Sequence, residues 1–97
     1  MTILEIQKRA YEISKAKGWY ENTINIPEKL ALIHSEASEA LDAYRNYEDE
    51  HLGEELADIV IRTLDLASYL GINMQDQILA KMERNEKREF RHGGKRC

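Results

Sequence analysis

Glu36 and Glu39 stand one helical turn apart in HSEASEALDAYR (residues 34–45), and Glu55 and Asp58 repeat that spacing in EELADIVIR (residues 54–62). Positions i and i+3 of an α-helix share a face, so each pair aims two carboxylates at one region. If the two segments are consecutive helices packed antiparallel, the pairs face each other and four carboxylates converge. Such a cluster is untenable without cations, and all-oxygen ligands select a hard divalent ion, Mg²⁺ or Mn²⁺, over zinc. Asp58 sharpens the expectation: its neighbours Ala57, Ile59, Val60 and Ile61 are apolar, and a buried carboxylate must be paired, protonated or metal-bound.

The same spacing also occurs where no chemistry is expected. Glu83, Glu86 and Glu89 are three apart but interleaved with Arg84, Lys87 and Arg88, which reads as a salt-bridged surface. What separates the first two pairs from this control is their apolar setting on two successive segments.

Those segments belong to a chain whose periodicity predicts four helices and no strand, an all-α, bundle-like fold. The first, roughly 2–17, places Ile3 or Leu4, Ile6, Ala10, Ile13 and Ala16 on one face and stops at Gly18. The second, roughly 28–46, follows Pro27 and turns Leu30, Ile33, Ala37, Ala40, Leu41 and Tyr44 inward. NYEDEHLGE reads as a polar break. The third, about 53–70, is apolar over most of its circumference and is expected to be the most buried. After Gly71, Asn73 or Asp76 caps a fourth helix that runs to about residue 91, leaving a flexible basic tail at about 92–97.

Composition limits the function classes. Ninety-seven residues make one domain, 1–97, and so short a chain buries only about 60–68% of its unfolded surface, which favours a homodimer or homotetramer. Hydrophobic residues at 42% exclude a disordered chain. Residues 36–58 carry nine acids against one base, Arg45, whereas 81–97 carry seven bases against three acids; the acidic centre argues against a nucleic acid polymer as partner. The only cysteine, Cys97, leaves no internal disulfide to form, and there is no charged-then-apolar leader or run of 18 apolar residues. A cytoplasmic protein with no membrane association is the expectation.

E-A-S-E followed by E-L-A-D resembles the E-x-x-E then E-x-x-D signature of the MazG-like all-α nucleoside triphosphate pyrophosphohydrolases, with fifteen residues between Glu39 and Glu55. KGWY, LALIHSEASEALDAYR, GEELADIVIRTLDLASYLGI, the K-x-x-x-N of Lys81 and Asn85, and HGGK extend the resemblance over nearly the whole chain, particularly to short single-domain members. It implies Mg²⁺-dependent hydrolysis of a (d)NTP to (d)NMP and pyrophosphate, with a possible role in cleaning the nucleotide pool. Glu36, Glu39, Glu55 and Asp58 would then be catalytic residues and metal ligands, with Mn²⁺ a substitute for Mg²⁺. One of the four, Glu39 among them, would orient or deprotonate the attacking water.

The resemblance also implies that Lys81 and Asn85 contact phosphate or sugar; a solvated Lys81 is the alternative. Trp19, the one tryptophan, either stacks on a base or plugs the end of the bundle. Arg62 is expected to pair with Asp58 or Asp65, and Arg88, His92 and Lys95 read as a loose charged tail. A di-iron bundle needs Glu-x-x-His motifs in its core, and only Glu48 with His51, in the polar break, offers that spacing. The competing class is a non-catalytic helical module for nucleotide sensing or dimerisation. Retention of four clustered acids argues against it, since a scaffold gains stability by replacing buried charge with apolar residues.

Overall fold

A computed structural model describes residues 1–88 of the chain. Among these residues there are four α-helices and no strand: α1 (Ile3–Ala16), α2 (Ile26–Arg45), α3 (Asp49–Tyr69) and α4 (Met74–Glu86). The tail residues His92 and Lys95 lie outside the described residues, as does Cys97.

Local chemistry sets the helix ends. Thr2 and Glu5 form a reciprocal box at the start of α1: Thr2 Oγ1 accepts from the Glu5 N–H at 3.1 Å and Glu5 Oε1 accepts from the Thr2 N–H at 3.0 Å. Asn25 and Asn73 cap α2 and α4, each side-chain oxygen accepting a backbone N–H at 3.1 Å. The first three helices end in one way, with the residue past the cap in the left-handed region and the next N–H reaching back five residues. Gly18 (φ +81°) does this for α1, with the Trp19 N–H donating to Ser14 O at 3.1 Å; Gly71 (φ +73°) does it for α3, with Ile72 N–H on Ala67 O at 2.8 Å. Tyr47 takes this role for α2 at φ 57°.

Two boundaries differ from the sequence-based expectation. The polar break shrinks to Asn46–Glu48 because Asp49 and Glu50 lie in the first turn of α3, where acidic side chains meet the positive end of the helix dipole. α4 ends at Glu86, with Lys87 as its C-cap, about one turn short of residue 91.

The short connection folds α2 back on α3 as a hairpin; α1 packs on α3, and α4 on α1. Small residues face one another at the core (Ala10, Ala40, Ala43 and Ala67, with Leu64 and Leu66), so the backbones come close. The inward face of α1 is Gln7, Ala10 and Ser14 instead of the expected aliphatic stripe; Ile6 and Ile13 are exposed. Gln7 faces inward because the turn into α4 needs it: Nε2 donates to Ile72 O at 2.7 Å and Oε1 accepts from Met74 N–H at 3.0 Å.

Apart from Glu55, the buried residues of the third helix run from Leu64 to Ala67, while Leu56, Val60 and Ile61 are exposed. On α2, Leu30, Leu41 and Tyr44 are likewise exposed, and the buried positions are Ala40 and Ala43. No helix among the described residues is long and apolar enough to cross a membrane.

Candidate metal centre

The α2–α3 hairpin sets Glu36 and Glu39 of α2 against Glu55 of α3, and one carboxylate oxygen from each lies within 4.8 Å of the other two. Glu55 is 7% exposed, and its Oε2 has no hydrogen-bond partner among the described residues. Two side chains meet the cluster from opposite sides. Arg62 Nε donates to Glu36 Oε1 at 3.0 Å across the helix pair, and His51 Nε2 stands 3.3 Å from Glu55 Oε1 from one turn earlier on α3. The pairs 36 with 62 and 39 with 55 run in opposite directions along the two helices, which is the antiparallel register the acids need.

Three carboxylates at this separation cannot all ionise freely. Hydrogen bonding with Glu36, then burial, then Glu39 push Glu55 up to about 7. Its partner Glu36 is held below the usual carboxylate range, first by that same hydrogen bond and then by Glu39 and Arg62. Below neutrality Glu55 holds the proton of a carboxyl–carboxylate pair.

The donor set fits a divalent cation. Three oxygen ligands from two rigid helices, one with a buried and unpartnered atom, match what a hard ion takes. A cation here would supply the orphaned Glu55 oxygen with a partner and displace the shared proton.

Asp58 departs from the expected geometry: it is exposed, and the convergent group holds three acids, not four. A step of three residues leaves a side chain about 60° around the helix from its predecessor, and at this height α3 presents that sector to solvent. The apolar neighbours that pointed to burial, Val60 and Ile61, are themselves exposed. Arg62 pairs with Glu36 rather than Asp58 or Asp65, because the hairpin brings α2 closer to it than its own helix neighbours. Asp65 is taken by α1: Ser14 Oγ donates to Asp65 Oδ2 at 2.6 Å.

Trp19 is 56% exposed and forms one wall of a cavity with Ser14, Tyr20, Arg62 and Asp65, so it is not a buried plug. Lys81 and Asn85 are exposed on α4; Lys81 borders a shallow hollow with Met74, Ile78 and Met82, and neither residue belongs to the acid cluster. Of the salt-bridged surface expected on α4, the Glu83–Lys87 pair forms at 3.1 Å, and Glu89 lies outside the described residues. The residue that sequence reasoning passed over is His51. Its signal was the i, i+4 spacing to Glu55, hidden by placing His51 in a loop.

A family model described as the MazG-like family matches residues 24–96. No curated protein and no solved structure matches the chain. The matched segment contains both acid pairs and the whole of the α2–α3 hairpin that assembles Glu36, Glu39 and Glu55, and the chain belongs to the MazG-like family.

Proposed function

We propose that this protein is a Mg²⁺-dependent nucleoside triphosphate pyrophosphohydrolase that cleaves the α–β phosphoanhydride of a (d)NTP to give (d)NMP and pyrophosphate, acting on the cytoplasmic nucleotide pool. One observation carries the reading: a MazG-like chain brings Glu36, Glu39 and Glu55 within 4.8 Å of one another, a concentration of negative charge that a triphosphate can approach only through a divalent cation. Mn²⁺ meets the same ligand demands.

When bound, the metal supplies Lewis-acid polarisation of the phosphate and a water of lowered pKa. The chain's own residues do the rest. Glu36 and Glu55 would hold the cation from facing helices, with Glu55 giving up its proton to do so. Glu39, exposed at the edge of the cluster, would orient the attacking water and accept its proton, and Asp58 would serve as a further ligand. Arg62, on the Glu36 side of the cluster, neutralises phosphate oxygens. Trp19 packs on the base, and Lys81 and Asn85 meet the phosphates or sugar. The exposed aliphatic stripes of α2 and α3 are covered by a second copy of the chain, in a homodimer or homotetramer.

The test is pyrophosphate release from a panel of canonical and modified (d)NTPs, with Mg²⁺ and with chelator. Metal-dependent release with the monophosphate as co-product supports the reading. A folded, Mg²⁺-binding protein that turns over nothing in the panel is instead a nucleotide-sensing or dimerisation module.

A further inference from the structure

Trp19 is linked to the acid cluster through Arg62, which pairs with Glu36 and borders the same cavity as the indole. The connection that carries Trp19 is held on both sides of it. Before it, Gly18 ends α1 in the left-handed region and ties the Trp19 N–H to Ser14 O at 3.1 Å. After it, Tyr20 stacks on Tyr69 of α3 with ring centroids 5.2 Å apart, meets Tyr11 edge-on at 5.1 Å and lies 5.4 Å from the Lys29 ammonium. Trp19 itself remains 56% exposed. Its neighbours are fixed while its indole is left open to a ligand.

One buried carboxylate joins the two holds. Ser14 Oγ donates to Asp65 Oδ2 at 2.6 Å, and the Tyr20 phenol is a hydrogen-bond partner of the same carboxylate. Burial, then the Asp65 charge, push the pKa of that phenol up, so it stays a donor. From α3, Asp65 thus grips the last turn of α1 and the residue that follows Trp19. A position that only filled space would be more stable as an apolar side chain, because a buried carboxylate must recover its lost hydration. Charge-assisted hydrogen bonds add direction, which apolar packing does not.

The same helix sets a distance. Arg62, Asp65 and Tyr69 lie at i, i+3 and i+7 on one stripe of α3. Glu55 stands seven residues before Arg62, about 10 Å along the axis, which is roughly the length of a nucleoside with its α-phosphate. One unbroken helix therefore carries the acid cluster at one end of that span and the grip on the Trp19 connection at the other. Ser14, Trp19 and Tyr20 all precede the segment that matches the family, residues 24–96, so this part of the arrangement comes from outside it.

We infer that Asp65 is a positioning residue: by bonding Ser14 and Tyr20 at once it holds the Trp19 indole at a fixed distance from the acid cluster, as a preformed surface for the base. This rests on the reading of Trp19 as the base contact. With the grip removed, binding must itself order the Trp19 side chain and its connection, which lowers affinity by about tenfold. The acid cluster is assembled by α2 and α3 alone, so its affinity for a cation does not change.

Trp19 is the one tryptophan, so fluorescence reports on it alone. In the metal-free full chain its anisotropy should decay with overall tumbling, and Asp65→Ala should add a fast nanosecond component. Adenosine, guanosine, cytidine and uridine, which lack phosphates and so bypass the acid cluster, are then titrated against Trp19 quenching. Asp65→Ala should bind those that quench the wild type about tenfold more weakly, with Mn²⁺ affinity unchanged. Asp65→Asn should restore the affinity, because an amide still pairs with both Ser14 and Tyr20. Unchanged anisotropy and nucleoside affinity in Asp65→Ala, a loss that Asp65→Asn does not restore, a parallel loss of Mn²⁺ affinity, or no quenching of the wild type by any of the four overturns the inference. Tyr20→Phe, which removes the phenol alone, carries the same comparison with a smaller loss if Asp65→Ala fails to fold. Nucleoside binding that depends on Asp65, without pyrophosphate release from any (d)NTP, keeps the platform and removes the enzyme; turnover with nucleoside binding indifferent to Asp65 does the opposite.

Discussion

Arg62 of α3 and Glu36 of α2 meet at 3.0 Å across the helix pair, so the guanidinium that pairs with the acid cluster also borders the neighbouring cavity. The carboxylate is mostly buried and the guanidinium partly exposed, which places the pair between a surface salt bridge and a buried one. Arg62→Gln should therefore destabilise the metal-free protein by about 1 kcal/mol, read by thermal melting. Without its competitor on Glu36, the cluster should take Mn²⁺ more tightly, and the melting temperature should rise more on adding Mn²⁺ than in the wild type. An equal or smaller Mn²⁺ response in the variant rules out competition between Arg62 and the cation.

The proton on Glu55 makes a signed prediction. Its folded pKa, about 7, lies above the ordinary 4.5, so between these values the folded state binds more protons than the unfolded one. The contribution of Glu55 to stability is full below pH 4.5 and is lost as pH rises through 7. Glu36, held low, has the opposite sign and loses its contribution only in acid. The melting temperature of the metal-free protein should fall from pH 5 to pH 8, and Glu55→Gln should remove most of that fall. Metal binding must expel the same proton, so calorimetry in buffers of different ionisation enthalpy should find about one proton released per cation at pH 6 and almost none at pH 8.5. Proton release that does not change with pH would falsify the shared-proton description.

The two acid pairs could be found in the sequence because helical spacing is local: Glu36, Glu39 and Glu55 need only two regular helices and a short turn to meet. Gly18 and Gly71 could be read as stops for the same reason. What pairs across the fold was harder to see. Gln7 and Ser14 look like surface residues in α1, and only the positions of Ile72, Met74 and Asp65 make them inward-facing. Asp58 illustrates the opposite error. Apolar neighbours signal a surface removed from water, yet around α3 they include residues that this chain leaves exposed. His51 was hidden because an acidic, polar run resembles a loop, although acids are favoured in a first helical turn.

Gln7 holds the α3–α4 turn and α1 together through a single side chain, with bonds of 2.7 Å to Ile72 O and 3.0 Å from Met74 N–H. α4 has few other anchors, one of them the Leu4 N–H donating to Gln75 Oε1 at 3.1 Å. Gln7→Ala should cost about 2 kcal/mol by leaving two backbone groups without partners. Hydrogen exchange should locate the damage: amides of α4 lose protection while those in the second half of α3 keep theirs. Uniform loss of protection in both helices would show that α4 does not detach separately.

The exposed aliphatic residues are not scattered. Leu30, Leu41 and Tyr44 lie along one stripe of α2, and Leu56 and Val60 are one turn apart on α3. Isolated exposed leucines are ordinary, but stripes on two helices of one hairpin are what the proposed second copy of the chain would cover. No large side chain among the described residues is fully buried, so the single chain has a thin core to stand on. Sedimentation should find the wild type at twice or four times its 11.3 kDa mass. Leu41→Lys together with Val60→Lys should shift it toward the monomer and lower its melting temperature, because the charges fall on the surface proposed for the second copy. A wild-type protein that sediments as a monomer at high concentration leaves both stripes in water and removes the homo-oligomer.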